Sequence, residues 1–380
     1  MNQLNWPTGL NVDVFLREYW QRRPLVMPQA LPDFNNPLSP DELAGLATED
    51  DIHSRLISQH KPGSWGLRVG PFTDSELTTL PAAGWSLLVS DVEKHLEGFQ
   101  TYLAPFRFLP DWRVDDLMIS YAPTGGSVGP HVDQYDVFLL QAAGRREWSI
   151  GTAGDDDSLL PDLDLRVLAN FSPVQTACLG PGDILYLPPG IPHHGVSLDN
   201  HCMTWSIGFR APTHAEWMVD MAQAIAQELG EARYQDPQPI GQGHPGELSI
   251  ASIRELRRVW DEGSAMDDAT FARLAGRILT QRTTGSPAPD DLPAALSAAS
   301  PPFASATVRR DGAARLLFIP TRNRAQLCAD GAIYDVSLAL AECLCDAYAY
   351  APGAFTTLLE SESDRNCLYE LWRREILFID

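Results

Sequence analysis

Apolar and polar positions change their period twice along this chain, from mixed to alternating and then to helical. Within the first hundred residues the spacing predicts a helix over Val12 to Gln21, stopped where Arg23-Pro24 forbids another turn. Leu25-Val26-Met27 then reads as a short strand, and Ser39-Pro40-Asp41 is the start signal of a second helix reaching Ala47. Nothing in this stretch carries obvious chemistry. From about Asp115 to Arg210, short apolar runs are separated by Gly and Pro clusters, the texture of an antiparallel barrel or sandwich. The predicted strands are Asp116 to Tyr121, Gln134 to Gln141, Arg146 to Ile150, Asp183 to Leu187 and Met203 to Phe209. Helical spacing returns in Ala215 to Leu229, Leu248 to Asp261 and Asp268 to Gln281, with apolar stripes that suit packing or dimerisation.

Thr283 to Ser305, rich in Pro, Ala, Ser and Thr, is the best linker in the chain. Beyond it, two hairpins are expected at Asp311-Gly312 and Asp330-Gly331, followed by helices near Ser337 to Tyr348, Ala354 to Glu360 and Asp364 to Glu375. The expected division is therefore a β-rich catalytic domain over 1–211 with its core at 99–212, a helical region over 212–282, a linker over 283–305 and a winged-helix-like domain over 306–380.

Length agrees with several units, since 380 residues exceed one ordinary domain. No run of eighteen or so apolar residues interrupts the pattern, so no membrane-spanning helix is expected, and Asn2 to Asp13 does not read as a secretory leader. The six cysteines are sparse and form no CxxC pair, which suits reduced, buried thiols in a cytoplasm better than disulfides; Cys343-Leu344-Cys345 is a weak metal candidate. A net charge of −22 argues against nucleic acid as the main partner and favours a basic peptide or protein.

Candidate chemistry is concentrated in Gly129-Pro130-His131-Val132-Asp133 and in Gly180-Pro181-Gly182-Asp183-Ile184-Leu185-Tyr186-Leu187-Pro188-Pro189-Gly190-Ile191-Pro192-His193. In an extended strand, residues two apart share a face, so His131 and Asp133 can grip one ion while Val132 points away. His193 follows sixty residues after Asp133, a separation across which a barrel can bring a third ligand back. Two imidazoles and one carboxylate on one face of an ion leave the opposite positions open, as oxygen-activating non-heme iron(II) requires. His194 competes with His193 for the ligand role, because adjacent strand residues face opposite ways. The remaining histidines lack partners at ligand spacing.

These two stretches together resemble the JmjC-type cupin hydroxylases, over roughly Phe99 to Pro212. The resemblance implies a double-stranded β-helix (cupin or jelly-roll) within a mixed α+β chain, Fe(II) with 2-oxoglutarate and O2 as cosubstrates, and His193 as the distal ligand after Gly-x-Pro. A 2-oxoglutarate enzyme also needs a cation for the far carboxylate. Period two puts Arg146 on the face of Trp148 and Ile150, and Arg145 with Glu147 and Ser149. Arg146 is therefore the cosubstrate candidate, and the resemblance falls on the same residue. Tyr135, Val137 and Leu139 share the face of His131 and Asp133, while Ser120 or Met118, and Thr204 or Ser206, are further contact candidates.

Phe15-Leu16-Arg17-Glu18-Tyr19-Trp20-Gln21-Arg22-Arg23-Pro24-Leu25 and Asp115-Asp116-Leu117-Met118-Ile119-Ser120 narrow the resemblance to bacterial ribosomal oxygenases. Relatives of this type hydroxylate an arginine β-carbon in the sixteenth large-subunit ribosomal protein. They join a cupin, a helical dimerisation region and a winged-helix-like tail. A homodimer acting on a basic ribosomal protein, without direct DNA binding, is what this implies. Three alternatives stay open: a non-oxidative metal-binding cupin, a JmjC-type demethylase and a non-catalytic binding module.

Overall fold

The computed structural model describes residues 3–61, 63–154, 158–236, 244, 246–282 and 303–379. It divides into two units, Met1–Ala211 and Pro212–Asp380.

The first unit is built on two antiparallel sheets. Its strands are β1 (Leu25–Met27), β2 (Ser54–Lys61), β3 (Ser64–Val69), β4 (Trp85–Val89), β5 (Val114–Ala122), β6 (His131–Val132), β7 (Asp136–Ala143), β8 (Arg146–Ile150), β9 (Gln175–Leu179), β10 (Ile184–Leu187), β11 (Pro192–Ser197) and β12 (Cys202–Phe209). The larger sheet runs β1-β10-β7-β12-β5-β4-β2-β3 and the smaller β6-β11-β8-β9. Burial on both faces explains why β7 is apolar almost throughout. Val137 and Leu139 join an inner cluster with Trp148, Ile150, Leu185 and Leu187, whereas Phe138, Leu140 and Ala142 pack outward. That outer face is covered by the early segments, where Phe15, Phe106 and Phe108 place rings 5.7, 5.0 and 6.4 Å from Phe138.

The early segments follow their local signals in part. Asn11 caps a helix that covers Val12–Glu18 and ends before Gln21, because the chain turns through a left-handed Gln21 (φ 58°) before Pro24 is reached. Ser39 and Glu42 form a reciprocal capping box on Pro40–Leu46. The larger departure is β2, β3 and β4, three strands not anticipated in the first hundred residues, which extend the sheet beyond β5. A second departure concerns Arg146 to Ile150, where Gly144-Arg145-Arg146 reads in the sequence as the return of a hairpin and the strand does not fold back on β7. It leaves β7 and pairs with β11 and β9 in the other sheet. Gly144 makes that corner, at φ +61° and with its missing Cβ position only 2.6 Å from Cys202 N.

In the second unit, helices cover His214–Glu228, Ile250–Ser264 and Asp268–Thr280. Asp330-Gly331 joins Ala325–Ala329 to Ala332–Val336 as a hairpin. Asp311-Gly312 does not: Val308–Arg310 pairs with Ala349–Tyr350 and Leu377–Ile379, so its partners lie far along the chain. Leu316–Pro320 instead pairs with Ala325–Ala329. Over Ala354 to Glu360 only a three-residue 3-10 turn, Leu358–Glu360, replaces the expected helix. Residues 283–302 of the expected linker lie outside the described residues. Cys178 is exposed on an edge strand rather than buried. Among the described residues, no helix is long and apolar enough to cross a membrane.

One buried ionic network ties the turn after the first helix to the sheet. Asp136 is fully buried, and its carboxylate accepts from the Tyr186 hydroxyl at 2.6 Å, from Gln21 Nε2 at 3.2 Å and from Arg113 Nη2 at 3.2 Å. Tyr186 Oη in turn accepts from the Gln21 backbone N–H at 2.7 Å. Removing one partner of such a network leaves a buried charge unpaired. Asp136→Ala is expected to lower unfolding free energy by about 3 kcal/mol or more in urea titrations; a change below about 1 kcal/mol would show the network to be dispensable.

Candidate metal centre and its cavity

The two halves of the smaller sheet bring distant residues face to face. β11 pairs with β6 so that His193 lies opposite His131 and Pro192 opposite Val132. Its other edge meets β8, aligning His193 with Ile150, Gly195 with Trp148 and Ser197 with Arg146. Period two then buries His193, Gly195 and Ser197, while His194 and Val196 are less enclosed. The His194 ring lies beside Phe171, at 6.2 Å, outside the cluster of candidate ligands. Asp133 follows directly on β6, where Gly190 N–H donates to its carbonyl at 2.8 Å.

His131, Asp133 and His193 each offer one ligand atom, all within 4.8 Å of one another. His131 Nε2 is 3.8 Å from Asp133 Oδ1, and His193 Nε2 is 3.6 Å from Asp133 Oδ2. His131 Nδ1 lies 2.9 Å from Gly129 O and His193 Nδ1 3.0 Å from Ile191 O. A carbonyl oxygen only accepts, so each Nδ1 carries the proton and each Nε2 keeps a lone pair for an ion. Burial, then the neighbouring His131, holds His193 down to about 4, which keeps its ring neutral at physiological pH. Two imidazole nitrogens and a carboxylate are a donor set that fits a divalent first-row metal. Cys343 and Cys345 belong to no such group among the described residues.

A cavity of about 360 Å³ opens from this cluster. Arg146 lines it, only 3% exposed, and among the described residues its Nε and Nη2 have no hydrogen-bond partner. A buried guanidinium with open donors suits an incoming carboxylate. Ser120, Tyr135, Thr204 and Ser206 also line the cavity, as do Val137 and Leu139. Ser120 Oγ donates to Thr204 O at 3.3 Å, and Thr204 Oγ1 donates to Gln141 Oε1 at 3.1 Å. Burial raises the Tyr135 phenol, and the Asp133 and Asp116 carboxylates raise it further against the pull of Arg55.

Several lining residues carry no signal in the sequence. Arg55 comes from β2 and Ser86 from β4. Ser86 Oγ is buried without a partner among the described residues. Arg55 Nη2 lies 3.5 Å from Met118 Sδ. Asp164, Leu165, Arg166 and Val167 reach the cavity from the β8–β9 connection, which is tied down by Leu168 N–H donating to Pro130 O at 2.8 Å. None forms a local motif; only the pairing of β2 and β4 within the sheet delivers the first two.

Beyond the cavity on β5, Glu93 Oε2 accepts the Leu117 N–H at 2.9 Å, capping a strand edge where β4 has ended. Burial, against the pull of Lys94, pushes the Glu93 carboxyl up to about 8. Burial, then Asp115, pushes Asp116 up to about 7. Both values exceed the ordinary 4.5 and 3.8, so the folded protein binds these protons more tightly than the unfolded chain. Stability from them is present below about pH 4 and lost as pH rises towards 8. Glu93→Gln keeps an acceptor for Leu117 and removes the titration. Its unfolding free energy should fall less than the wild type's between pH 5 and 8, read from urea midpoints; parallel curves would refute the buried proton.

Residues 101–217 match the JmjC domain. The chain is 44% identical over 257 residues to the ribosomal protein uL16 3-hydroxylase of Escherichia coli (strain K12), a match covering 67% of this chain and 66% of that protein. The chain thus spans just under two thirds of the length of that curated relative. The X-ray structure of E. coli YcfD superposes with a TM-score of 0.83 at 35% identity, covering 100% of both chains. The structure of the ribosomal oxygenase YcfD in complex with cobalt and 2-oxoglutarate gives a TM-score of 0.81 at 35% identity, again over 100% of both. The fold is accordingly of the JmjC cupin type, with mixed α and β content and antiparallel sheets. Similarity of this extent, carried by both sequence and structure, settles descent: the chain belongs to the JmjC-domain ribosomal oxygenases.

Proposed function

We propose that this protein is a 2-oxoglutarate- and Fe(II)-dependent dioxygenase that hydroxylates a side chain of a large-subunit ribosomal protein, an arginine β-carbon of uL16. The observation that carries the reading is one cavity holding both a His-Asp-His donor set and a buried, unpartnered guanidinium. His131, Asp133 and His193 hold the metal, and Arg146 receives the far carboxylate of 2-oxoglutarate. The cobalt and 2-oxoglutarate complex of E. coli YcfD supports this assignment, and the name of the uL16 3-hydroxylase supports the β-position.

With both groups and O2 bound, the chemistry supplied is oxidative decarboxylation of 2-oxoglutarate to succinate and carbon dioxide coupled to insertion of one oxygen into a C–H bond. The chain's own residues bind, orient and exclude water. Nδ1 donation to Gly129 and Ile191 carbonyls keeps both imidazoles aimed through Nε2. Val137, Leu139 and Trp148 make the inner wall apolar, which protects reactive species from solvent. A chain of net charge −22 draws in a basic substrate. Action in the cytoplasm, where ribosomal proteins are made, completes the reading.

The deciding experiment incubates purified large-subunit ribosomal proteins with enzyme, iron(II), ascorbate and 2-oxoglutarate, with His131→Ala and Arg146→Ala as controls. One protein should gain the mass of one oxygen, and neither control should produce it. No gain on any ribosomal protein sinks the substrate assignment, and release of formaldehyde in its place would indicate demethylation.

Region 212–282 supports self-association into a homodimer. On the helix Ile250–Ser264, Ile250, Ile253, Leu256 and Trp260 are exposed at helical spacing, with Trp260 54% accessible. The tail over 306–380, with helices Leu338–Asp346 and Glu362–Arg373 and a hairpin over 325–336, suits a winged-helix-like packing or protein-interaction module. Light scattering should return twice the chain mass, and Ile253→Glu with Trp260→Glu should return the monomer; a monomeric wild type refutes the dimer.

A further inference from the structure

The inner face of the smaller sheet carries one large ring between the two groups that receive the cosubstrate. On β8, Arg146, Trp148 and Ile150 point inward; on β11, His193, Gly195 and Ser197 do. Trp148 is 4% exposed, its ring 5.8 Å from the His193 ring and 5.6 Å from the Arg146 guanidinium carbon. The metal-ligand candidate and the carboxylate anchor therefore both pack on the same indole.

What seats that indole is a glycine directly across the ladder. A Cβ at position 195 would lie 2.6 Å from Trp148 Cζ3, 2.7 Å from Cη2 and 2.9 Å from Cε3. The six-membered ring thus occupies the space a side chain would take. Gly195 is not in the left-handed region, so the requirement is for room and not for backbone freedom. On its other sides Trp148 is packed into the cluster of Leu139, Leu179 and Leu185. A stiff ring in close-packed surroundings cannot shift without opening a void or straining its neighbours.

We propose that Trp148, seated on Gly195, is a positioning residue that sets the length of the 2-oxo diacid the cavity accepts. This rests on the reading that His193 holds the metal and Arg146 the far carboxylate. With both ends of the diacid referred to one ring, the clearance between them is a fixed distance. One methylene too few leaves the far carboxylate short of Arg146, and one too many must be accommodated by bending. Shrinking the ring relaxes the upper limit, and pushing it from behind tightens it.

The test is calorimetric titration of the full-length, cobalt-loaded protein, without oxygen, with 2-oxoglutarate, 2-oxoadipate and oxaloacetate. Trp148→Phe should raise affinity for 2-oxoadipate relative to 2-oxoglutarate about tenfold, the scale at which packing discriminates one methylene. Gly195→Ala, which drives the ring into the cavity, should move preference the other way, towards oxaloacetate. A merely structural loss would lower all three affinities together and leave their ratios unchanged. Unchanged ratios in both variants overturn the inference while the cosubstrate reading stands. A cobalt-loaded wild type that binds none of the three diacids overturns that reading and the inference with it. Should Trp148→Phe fail to fold, the Gly195→Ala ratio decides alone.

Discussion

One register governs this site: His193 must lie opposite His131 across the β6–β11 pair. Because side chains alternate along a strand, a slip of one residue would turn His193 outward and bring His194 in. β6 is only two residues long and cannot hold the alignment by its own ladder. Other contacts hold it. β11 aligns five residues with β8, Gly151 N–H donates to Pro192 O at 2.7 Å, and Gly190 N–H donates to Asp133 O at 2.8 Å. Pro192, which has no N–H to give, stands at the first position of its strand, where a missing donor is tolerated. The ligand geometry is therefore a property of the whole smaller sheet.

Charge is handled in two opposite ways within the same unit. Asp136, at the start of β7, is fully buried and accepts from three side chains, which offset part of its desolvation although burial still raises its carboxyl. Arg146, at the start of β8, is almost as buried, yet two of its nitrogens are unmatched among the described residues. The partnered group lies in the wall of the fold, and the group with open donors lines the cavity. A carboxylate arriving at Arg146 gains a charge-assisted bond and also relieves a desolvation penalty already present.

Period two made much of this legible. Inward placement of Arg146, Trp148 and Ile150, and of Tyr135, Val137 and Leu139 with the triad, follows from alternation alone, and the cavity lining has all of these but Ile150 together. Alternation is local; pairing is not. Gly144 and Asp311-Gly312 both look like hairpin turns, yet the strand after Gly144 and the strand before Asp311 take partners far along the chain. β2 was hidden for a different reason. Ser54-Arg55-Leu56-Ile57-Ser58 holds a single apolar pair between polar residues, of which Arg55 faces the cavity, and from sequence a cavity wall is indistinguishable from solvent.

The cavity accordingly has two kinds of wall. The smaller sheet and the loop before β7 supply the donor set and Arg146, whose residue types are dictated by the ion and the carboxylate they suit. Arg55, Leu67, Ser86 and Leu88 form much of the opposite side, drawn from β2, β3 and β4, and Arg55 Nε and Ser86 Oγ are buried there without a partner among the described residues. Substitutions in such a wall change the shape and polarity of the cavity while the donor set stays as it is. Reaction type is thus written in short motifs, and selectivity is written in shape. Gly195 is where the two meet, a residue with no functional group whose missing side chain gives room to a ring between His193 and Arg146.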